Sequence, residues 1–490
     1  MKLSELLKGV DVVSIINDSD IEIANVDEDS RRVKENTLFI CVKGATNDGH
    51  DFIPEVIEKG ATAIVVSEDY DESQIEDDVV IIKVKDTVIA LAQISCTYFD
   101  NPTRKFKLIS VTGTKGKTTT TYMIKSILEK AGKKVGLIGT ICNMIGDKKY
   151  ASINTTPTAF QLQALFYKMA QEKVDVVVME VSSHALAMNR VIGCDFDIGV
   201  FTNLSQDHMD FHKTFENYIE AKSILFKMCK YGFVNCDDMY SLTIEKNATC
   251  PISTFGIDNG PKIAAKDIII TNSYAEFKLM VNNRPQKIKV GILGRFTIYN
   301  ALAAISAVSL LNIDFLYIKE GLENVTVPGR AELVPNMHGL NIMIDYAHSP
   351  ASLESILKAV KPYTKGEVIC VFGCGGDRDK TKRPIMGKIA GQNANFTVIT
   401  SDNPRTEDPK DIVDQIEEGI KETKGKYKVI VNRINAIEFA IKRAKKNDLI
   451  ILAGKGHETY QIFGTEKKHF DEREIVANIL KKLPLSDDIF

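Results

Sequence analysis

The sequence predicts an α/β protein of three domains, with parallel sheets in the second and third. At 490 residues the chain is too long for a single ordinary core. Beyond about residue 106, apolar runs of strand length alternate with stretches of helical period, the rhythm of a parallel sheet covered by helices. Two segments interrupt that rhythm: the polar, proline-bearing Asp100–Lys105 and the turn Val327-Pro328-Gly329-Arg330. They divide the chain into domains at 1–102, 103–328 and 329–490.

In the first domain the short apolar runs Thr37–Val42, Ala61–Val66 and Val79–Val84 read as strands of a small α/β unit. In the second, Leu108–Val111 precedes a glycine-rich turn and then a helical pattern through Tyr122, Ile124, Ile127 and Leu128. Further strands are expected at Val135–Thr140, Val174–Val181 and Asp197–Thr202. In the third, Asn341–Asp345, Val368–Gly373, Phe396–Thr400, Lys428–Val431 and Asp448–Ala453 alternate with helical stretches, which predicts a doubly wound, Rossmann-like sheet.

Composition narrows the function classes. Apolar residues make up 44% and charged residues 26%, as in a globular protein in water. A formal net charge of −3 gives no drive toward nucleic acid or an anionic membrane. No run approaches the roughly 18 apolar residues of a membrane span. Glu5 and Lys8 interrupt any apolar core at the N-terminus, so neither a signal nor a transit peptide is expected. The nine cysteines form no C-x-x-C pair, which fits reduced thiols and a cytoplasmic location.

The chemistry begins at Gly113-Thr114-Lys115-Gly116-Lys117-Thr118-Thr119. A strand, a glycine loop and a helix N-terminus form an anion cradle, because free N–H groups and the helix dipole point at one place. Lys117 would neutralise phosphate and Thr118 would offer its hydroxyl to Mg²⁺. The spacing departs from G-x-x-x-x-G-K-[ST], since only two residues separate Gly113 from Gly116.

Four further constellations follow strands. Glu180 ends an apolar run, where a carboxylate can stand beside a nucleotide-bound metal or merely cap the next helix. His208 and His212 are four apart, but a zinc pair lacks a third ligand, and His208 supporting an oxygen-held Mg²⁺ is the better reading. Lys222 lies in a rather apolar helical stretch, as a snorkelling surface lysine or as an amine with a lowered pKa. Finally, loops at Gly373–Lys380, Asp402–Pro409 and Gly454–Glu458 should meet in one crevice. Their Arg378, Arg405, Asp402 and Glu458 suit a zwitterion, arginines gripping carboxylate and acids receiving ammonium.

Together these residues resemble the Mur ligases, ATP-dependent enzymes that form the amide bonds of peptidoglycan precursors. The resemblance spans essentially the whole chain, in Gly113–Thr120, Glu180–Leu186, Thr202–His212, Ala221-Lys222, Pro328–Glu332, Ile344–Pro350 and the three C-terminal loops. Within the family the chain is most similar to members that add the third peptide residue, diaminopimelate, to UDP-MurNAc-L-Ala-D-Glu. The resemblance implies that the first domain binds the UDP-sugar through Ser30, Ala45, Thr46 and Asn47. Asn154, Thr155, Thr156, Ser182 and Arg190 would contact the muramoyl dipeptide. Asn300, Arg330 and Asp345 would contact ATP, and Arg378, Asp402, Asn403, Pro404, Arg405, Gly454 and Glu458 the diaminopimelate. Thr118, Glu180, His208 and Lys222 would hold Mg²⁺, Lys222 as a carbamate derived from CO₂. Two positions depart from the family pattern: Thr297 stands for an asparagine, and Met188 for a glutamine.

Arg405 decides the acceptor, because Asp-Asn-Pro-Arg goes with diaminopimelate in the family and lysine-adding members usually lack the arginine. With lysine as acceptor a buried guanidinium would stay unpaired, costing about 2–5 kcal/mol. The implied reaction phosphorylates the D-glutamyl carboxylate, and the amine then attacks the acyl phosphate, with His208 and Asp207 the nearest candidate bases. Other readings are a lysine-adding ligase, a folylpolyglutamate-synthase-like ligase, a P-loop kinase or mechanical ATPase, and a non-catalytic nucleotide-binding regulator. The regulator should have lost Lys117, Glu180 or Lys222, and all three are present. A monomer is expected. With ATP on the second domain and the amino acid on the third, closure about Pro328–Arg330 is expected. Small-angle scattering should therefore register a smaller radius of gyration once nucleotide, sugar peptide and amino acid are added; an unchanged radius would discard the hinge.

Overall fold

The computed structural model describes residues 1–44, 47–75, 78–271 and 273–483. The chain clusters into two compact units. One comprises Met1–Lys262 with Ala303–Ile318, and the other Ile263–Leu302 with the chain from Lys319 onward.

The first unit opens with a five-stranded sheet ordered Val12–Ile16, Val80–Val84, Ala61–Ser67, Thr37–Ile40, Asn25–Asp27. All neighbours are parallel except the first pair. Leu38 and Ile40 pack into one core with Val65 and Ile82, while Phe39 packs into another with Ile64 and Ile81. Burial on both faces is why these strands read as continuous apolar runs.

The second sheet of this unit runs Ile252–Gly256, Cys229–Asn235, Phe196–Phe201, Lys107–Thr112, Val176–Glu180, Val135–Ile138, Asn143–Ile145, Lys148–Tyr150. It is parallel from Ile252–Gly256 through Val135–Ile138, and the last two strands add antiparallel. Lys107–Thr112 lies at its middle, so the loops leaving it and its two neighbours share one edge, the usual ligand crevice of such sheets.

In the second unit, Lys266–Ile270, Ala275–Val281 and Arg284–Val290 form an antiparallel sheet, where the sequence reading expected the helix–strand alternation to continue. The middle strand buries Phe277 and Leu279 and exposes Lys278 and Met280, the period-two pattern of a sheet with one covered face. The larger sheet is ordered Glu332–Leu333, Asn341–Asp345, Leu449–Ala453, Val368–Phe372, Phe396–Ile399, Lys426–Val429 and is parallel apart from its first, two-residue strand. The last strand starts two residues earlier than expected, because Phe396 to Ile399 pair with Lys426 to Val429.

Helices Lys382–Asn393 and Pro409–Lys421 pack backbone to backbone: a Cβ on Gly419 would collide with Pro384 O, and one on Gly387 with Ile416 O. Asp408 caps the second of these helices through Lys410 N, with Pro409 at its first position. Gly419→Ala should therefore cost about 1–3 kcal/mol and lower the thermal midpoint by several degrees. A midpoint equal to wild type would mean that the helices can part freely.

Candidate active site

The loop after Lys107–Thr112 is shaped by two glycines. Gly113 has φ +143°, and a Cβ there would collide with Thr202 Oγ1; Gly116 has φ +86° and begins helix Lys117–Lys130. Thr202 and Asn203, leaving the neighbouring strand, clamp the loop. Thr202 Oγ1 and Asn203 Nδ2 donate to Lys115 O at 2.7 and 2.9 Å, and Asn203 Oδ1 accepts from Lys115 N at 3.0 Å. The Lys117 ammonium folds over this loop, donating to Gly113 O at 2.8 Å and Thr114 O at 3.0 Å. Thr119 is buried in the first helical turn.

Glu180, 1% exposed, ends the strand on the other side. Its Oε2 accepts from Thr118 Oγ1 and Thr140 Oγ1, each at 3.0 Å, and its Oε1 from Thr140 N at 2.9 Å. Gly139 must lack a side chain for that carboxylate to fit. Thr140 is a site residue the sequence reading missed; its only signal was its place at the end of a strand.

Lys222 is 1% exposed on helix Phe215–Ser223, so it is not a snorkelling surface lysine. Its Nζ donates to Gly113 O at 2.9 Å, the carbonyl Lys117 also uses, and lies 4.6 Å from the Tyr218 ring centroid. Burial first, then the nearby Lys117 charge, lowers its pKa well below the usual lysine value. Tyr218, also missed, hydrogen-bonds Thr114 Oγ1 at 3.0 Å and so links the helix to the phosphate loop.

His208 and His212 part company. His208 precedes the short helix Met209–His212 in a left-handed conformation (φ 55°), with its ring half exposed, 3.7 Å from Asp207 and 6.4 Å between centroids from Tyr218. His212 is buried against Ser183 Oγ at 2.9 Å, and burial followed by the neighbouring His184 lowers its pKa to about 4. It is a neutral structural residue. Among the described residues no group of three or more His, Cys, Asp or Glu is arranged to hold a metal by itself. The oxygens of Thr118 and Glu180 fit Mg²⁺ nonetheless, since that ion takes one or two protein ligands and completes its shell with phosphate and water.

Of the residues expected to contact the muramoyl dipeptide, Thr156 bonds Glu180 directly. Thr155 Oγ1 lies 3.1 Å from Thr140 Oγ1; Thr156 Oγ1 donates to Glu180 O at 2.9 Å and accepts from Ser182 N at 3.1 Å. Arg190 donates to Thr156 O at 3.2 Å and to Met188 Sδ at 3.6 Å. Ser182 Oγ caps the following helix through Ala185 N, and Asn154 is exposed. Ser30 O accepts from Lys59 Nζ and Asn47 O from Gly44 N, whereas Ala45 and Thr46 lie outside the described residues.

In the second unit, Asp345 accepts from Ala331 N at 2.7 Å and Ala347 N at 2.9 Å, and burial raises its pKa. Arg330 lies over the Tyr346 ring at 4.8 Å, with its buried Nε left without a hydrogen-bond partner. Asn300 is buried in helix Arg295–Val308, and Thr297 on the same helix donates to Leu293 O at 3.1 Å.

The three polar loops do meet. Arg405, at φ 53°, donates through Nη1 to Gly376 O at 2.7 Å, and its backbone pairs with the hairpin Tyr460–His469 through Ile462 O and Gly464 N. Gly376 is needed for this approach, because a Cβ there would strike Pro404 O. Arg378 is exposed and donates to Asp377 O. Asp402 accepts from Asn403 N at 2.7 Å, and a Cβ on Gly454 would meet its Oδ2 at 2.9 Å. Asn403 Nδ2 donates to Glu458 at 2.9 Å. The sequence reading missed what braces the loops: fully buried Arg383 grips Glu407 with two bonds of 2.9 Å, and fully buried Lys455 bonds both Asn403 and Glu458.

Three family models match this chain: the Mur ligase family catalytic domain at residues 22–99, the Mur ligase middle domain at 111–308 and the Mur ligase glutamate ligase domain at 329–456. The UDP-N-acetylmuramoyl-L-alanyl-D-glutamate–2,6-diaminopimelate ligase 1 of Clostridium acetobutylicum is 47% identical over 99% of this chain and 100% of its own. The ligase of the same description from Caldanaerobacter subterraneus is 48% identical over 98% of this chain and 99% of its own. A solved structure of a UDP-N-acetylmuramoyl-L-alanyl-D-glutamate–2,6-diaminopimelate ligase superposes with a TM-score of 0.70 at 29% identity, covering 95% of this chain and 97% of that one. A glycine-rich loop backed by a buried glutamate and a buried lysine, with full-length likeness at this level, establishes that the chain belongs to the Mur ligase family.

Proposed function

We propose that this Mur ligase joins the amine of meso-2,6-diaminopimelate to the D-glutamyl carboxylate of UDP-MurNAc-L-Ala-D-Glu, converting ATP to ADP and phosphate through an acyl phosphate. The observation that carries the acceptor is Arg405, a half-buried guanidinium with one bond to Gly376 O, on the loop that also presents Asp402 and Asn403. Its other donors suit the distal carboxylate of diaminopimelate, which lysine lacks. The names of the full-length relatives support the same acceptor.

The residues present divide the work by their chemistry. Lys117 exchanges its bonds to Gly113 O and Thr114 O for phosphate oxygens, at little cost because Gly113 O keeps its bond from Lys222. The backbone N–H groups at the start of helix Lys117–Lys130 face developing negative charge on the transferring phosphoryl group. Thr118 and Glu180, with His208, would hold Mg²⁺, which would supply positive charge to offset that of the phosphoryl oxygens. Lys222 supports a further ligand: a buried amine with a lowered pKa is free to attack CO₂, losing one proton to give a carbamate anion. Thr156 bonds the backbone carbonyl of Glu180, Ser182 and Arg190 bond Thr156, and Thr155 bonds Thr140, which suits this group to bring the D-glutamyl carboxylate beside the phosphoryl donor.

Phosphate release from ATP with UDP-MurNAc-L-Ala-D-Glu should occur with meso-diaminopimelate and not with L-lysine. Arg405→Ala should raise the KM for diaminopimelate by about 10- to 100-fold while leaving the KM for ATP near wild type. Turnover with lysine as good as with diaminopimelate would remove Arg405 from specificity. Lys222→Ala should lower kcat by about 100-fold or more, without rescue by bicarbonate and with an unchanged thermal midpoint. Wild-type turnover in that variant would remove Lys222 from the metal site.

A further inference from the structure

Lys455 is fully buried, and a buried ammonium is costly unless its charge and its donors are matched. Its Nζ donates to Asn403 Oδ1 and to Glu458 Oε2, both at 3.0 Å. Asn403 Nδ2 donates to the same Glu458 oxygen at 2.9 Å, and Asn403 Oδ1 takes a second bond from Ile462 N at 3.0 Å. The rings of Tyr460 and Phe470, with centroids 5.7 and 5.9 Å from Nζ, stand on the ammonium's remaining sides. Three side chains thus close a ring of hydrogen bonds between the loop after Phe396–Ile399 and the loop after Leu449–Ala453.

The ring has a directional consequence. A carboxylate has about four acceptor positions, two on each oxygen. Lys455 and Asn403 both bond Glu458 Oε2, which restrains the carboxylate, and neither bond uses Oε1, on a side chain that is 17% exposed. A well-packed apolar side chain in place of Lys455 could serve stability as well as the buried ion pair does. What an apolar residue cannot do is hold Glu458 in one orientation.

We propose that Lys455 is a positioning residue for the amino-acid substrate: it locks Asn403 and Glu458 into one unit that aims Glu458 Oε1 at the ammonium group of the incoming amino acid. The proposal rests on the reading that this crevice takes diaminopimelate. It does not require Lys455 to touch the substrate.

The test is steady-state phosphate release by Lys455→Met, Glu458→Gln and the double variant, with meso-diaminopimelate and ATP varied in turn. Each single change should raise the KM for diaminopimelate by about 10- to 100-fold, with the KM for ATP within about 3-fold of wild type. The double variant should be no worse than about 3-fold beyond the poorer single, because both changes remove the same contact. Multiplying effects, or a wild-type KM for diaminopimelate in Lys455→Met, would overturn the proposal. Should Lys455→Met fail to fold by circular dichroism, Asn403→Ala takes its place under the same criterion. If Glu458→Gln and Arg405→Ala both leave the KM for diaminopimelate unchanged, the crevice assignment itself falls and Lys455 with it.

Discussion

The buried carboxylate of Glu180 is the interaction on which the glycine-loop edge of the first unit's larger sheet depends. A carboxylate taken out of water needs donors, and this one receives three, from Thr118 Oγ1, Thr140 Oγ1 and Thr140 N. Those donors come from the first turn of the phosphate-loop helix and from the segment after Val135–Ile138, while Glu180 itself ends a third element. One charged group therefore sets the spacing of three chain segments around the place where phosphate would lie. Thr156, bonded to Glu180 O, extends that frame to the residues suited to the sugar peptide.

A second convergence sits beside it. Lys117 and Lys222 both donate to Gly113 O, and two ammonium groups sharing one carbonyl repel each other. The conflict is eased because burial favours the neutral form of Lys222 while Lys117 remains partly open to water. The same desolvation that resolves the conflict favours the neutral amine, so packing around helix Phe215–Ser223 sets the electrostatics of the loop. In the C-terminal crevice the frame is built from buried ion pairs instead. Arg433 with Glu472 is fully enclosed and Arg383 is buried against the partly exposed Glu407, and the spare donors of both arginines reach backbone carbonyls at Gly375, Ser401 and Ala453. Planar guanidinium groups suit this role, because their donors diverge in fixed directions.

Most of the fold was legible because parallel strands buried on both faces leave long apolar runs, as Val176–Glu180 and Leu449–Ala453 do. Lys266–Val290 was not, because its antiparallel strands are covered on one face and mix charged with apolar residues. The places of the glycine loop, Glu180 and the three C-terminal loops were legible because each follows or ends an apolar strand run. Tyr218, Thr140 and Lys455 were not, since each acts by touching a residue distant in sequence: Thr114, Glu180 and Asn403.

By itself, then, the order of residues determined the local chemistry: which turn could cradle phosphate, which loops carried paired arginines and acids, and where helices could begin. Those properties follow from backbone freedom, side-chain type and spacing, all of which act over a few neighbours. Only the tertiary structure decided the state of each group. It enclosed Lys222 and lowered its pKa, set His212 against Ser183 while His208 stayed half exposed, and placed Lys455 under Glu458. Burial and hydrogen bonding across more than 50 residues of chain, as between Asn403 and Lys455 or Thr118 and Glu180, arise from packing, and no local pattern encodes them.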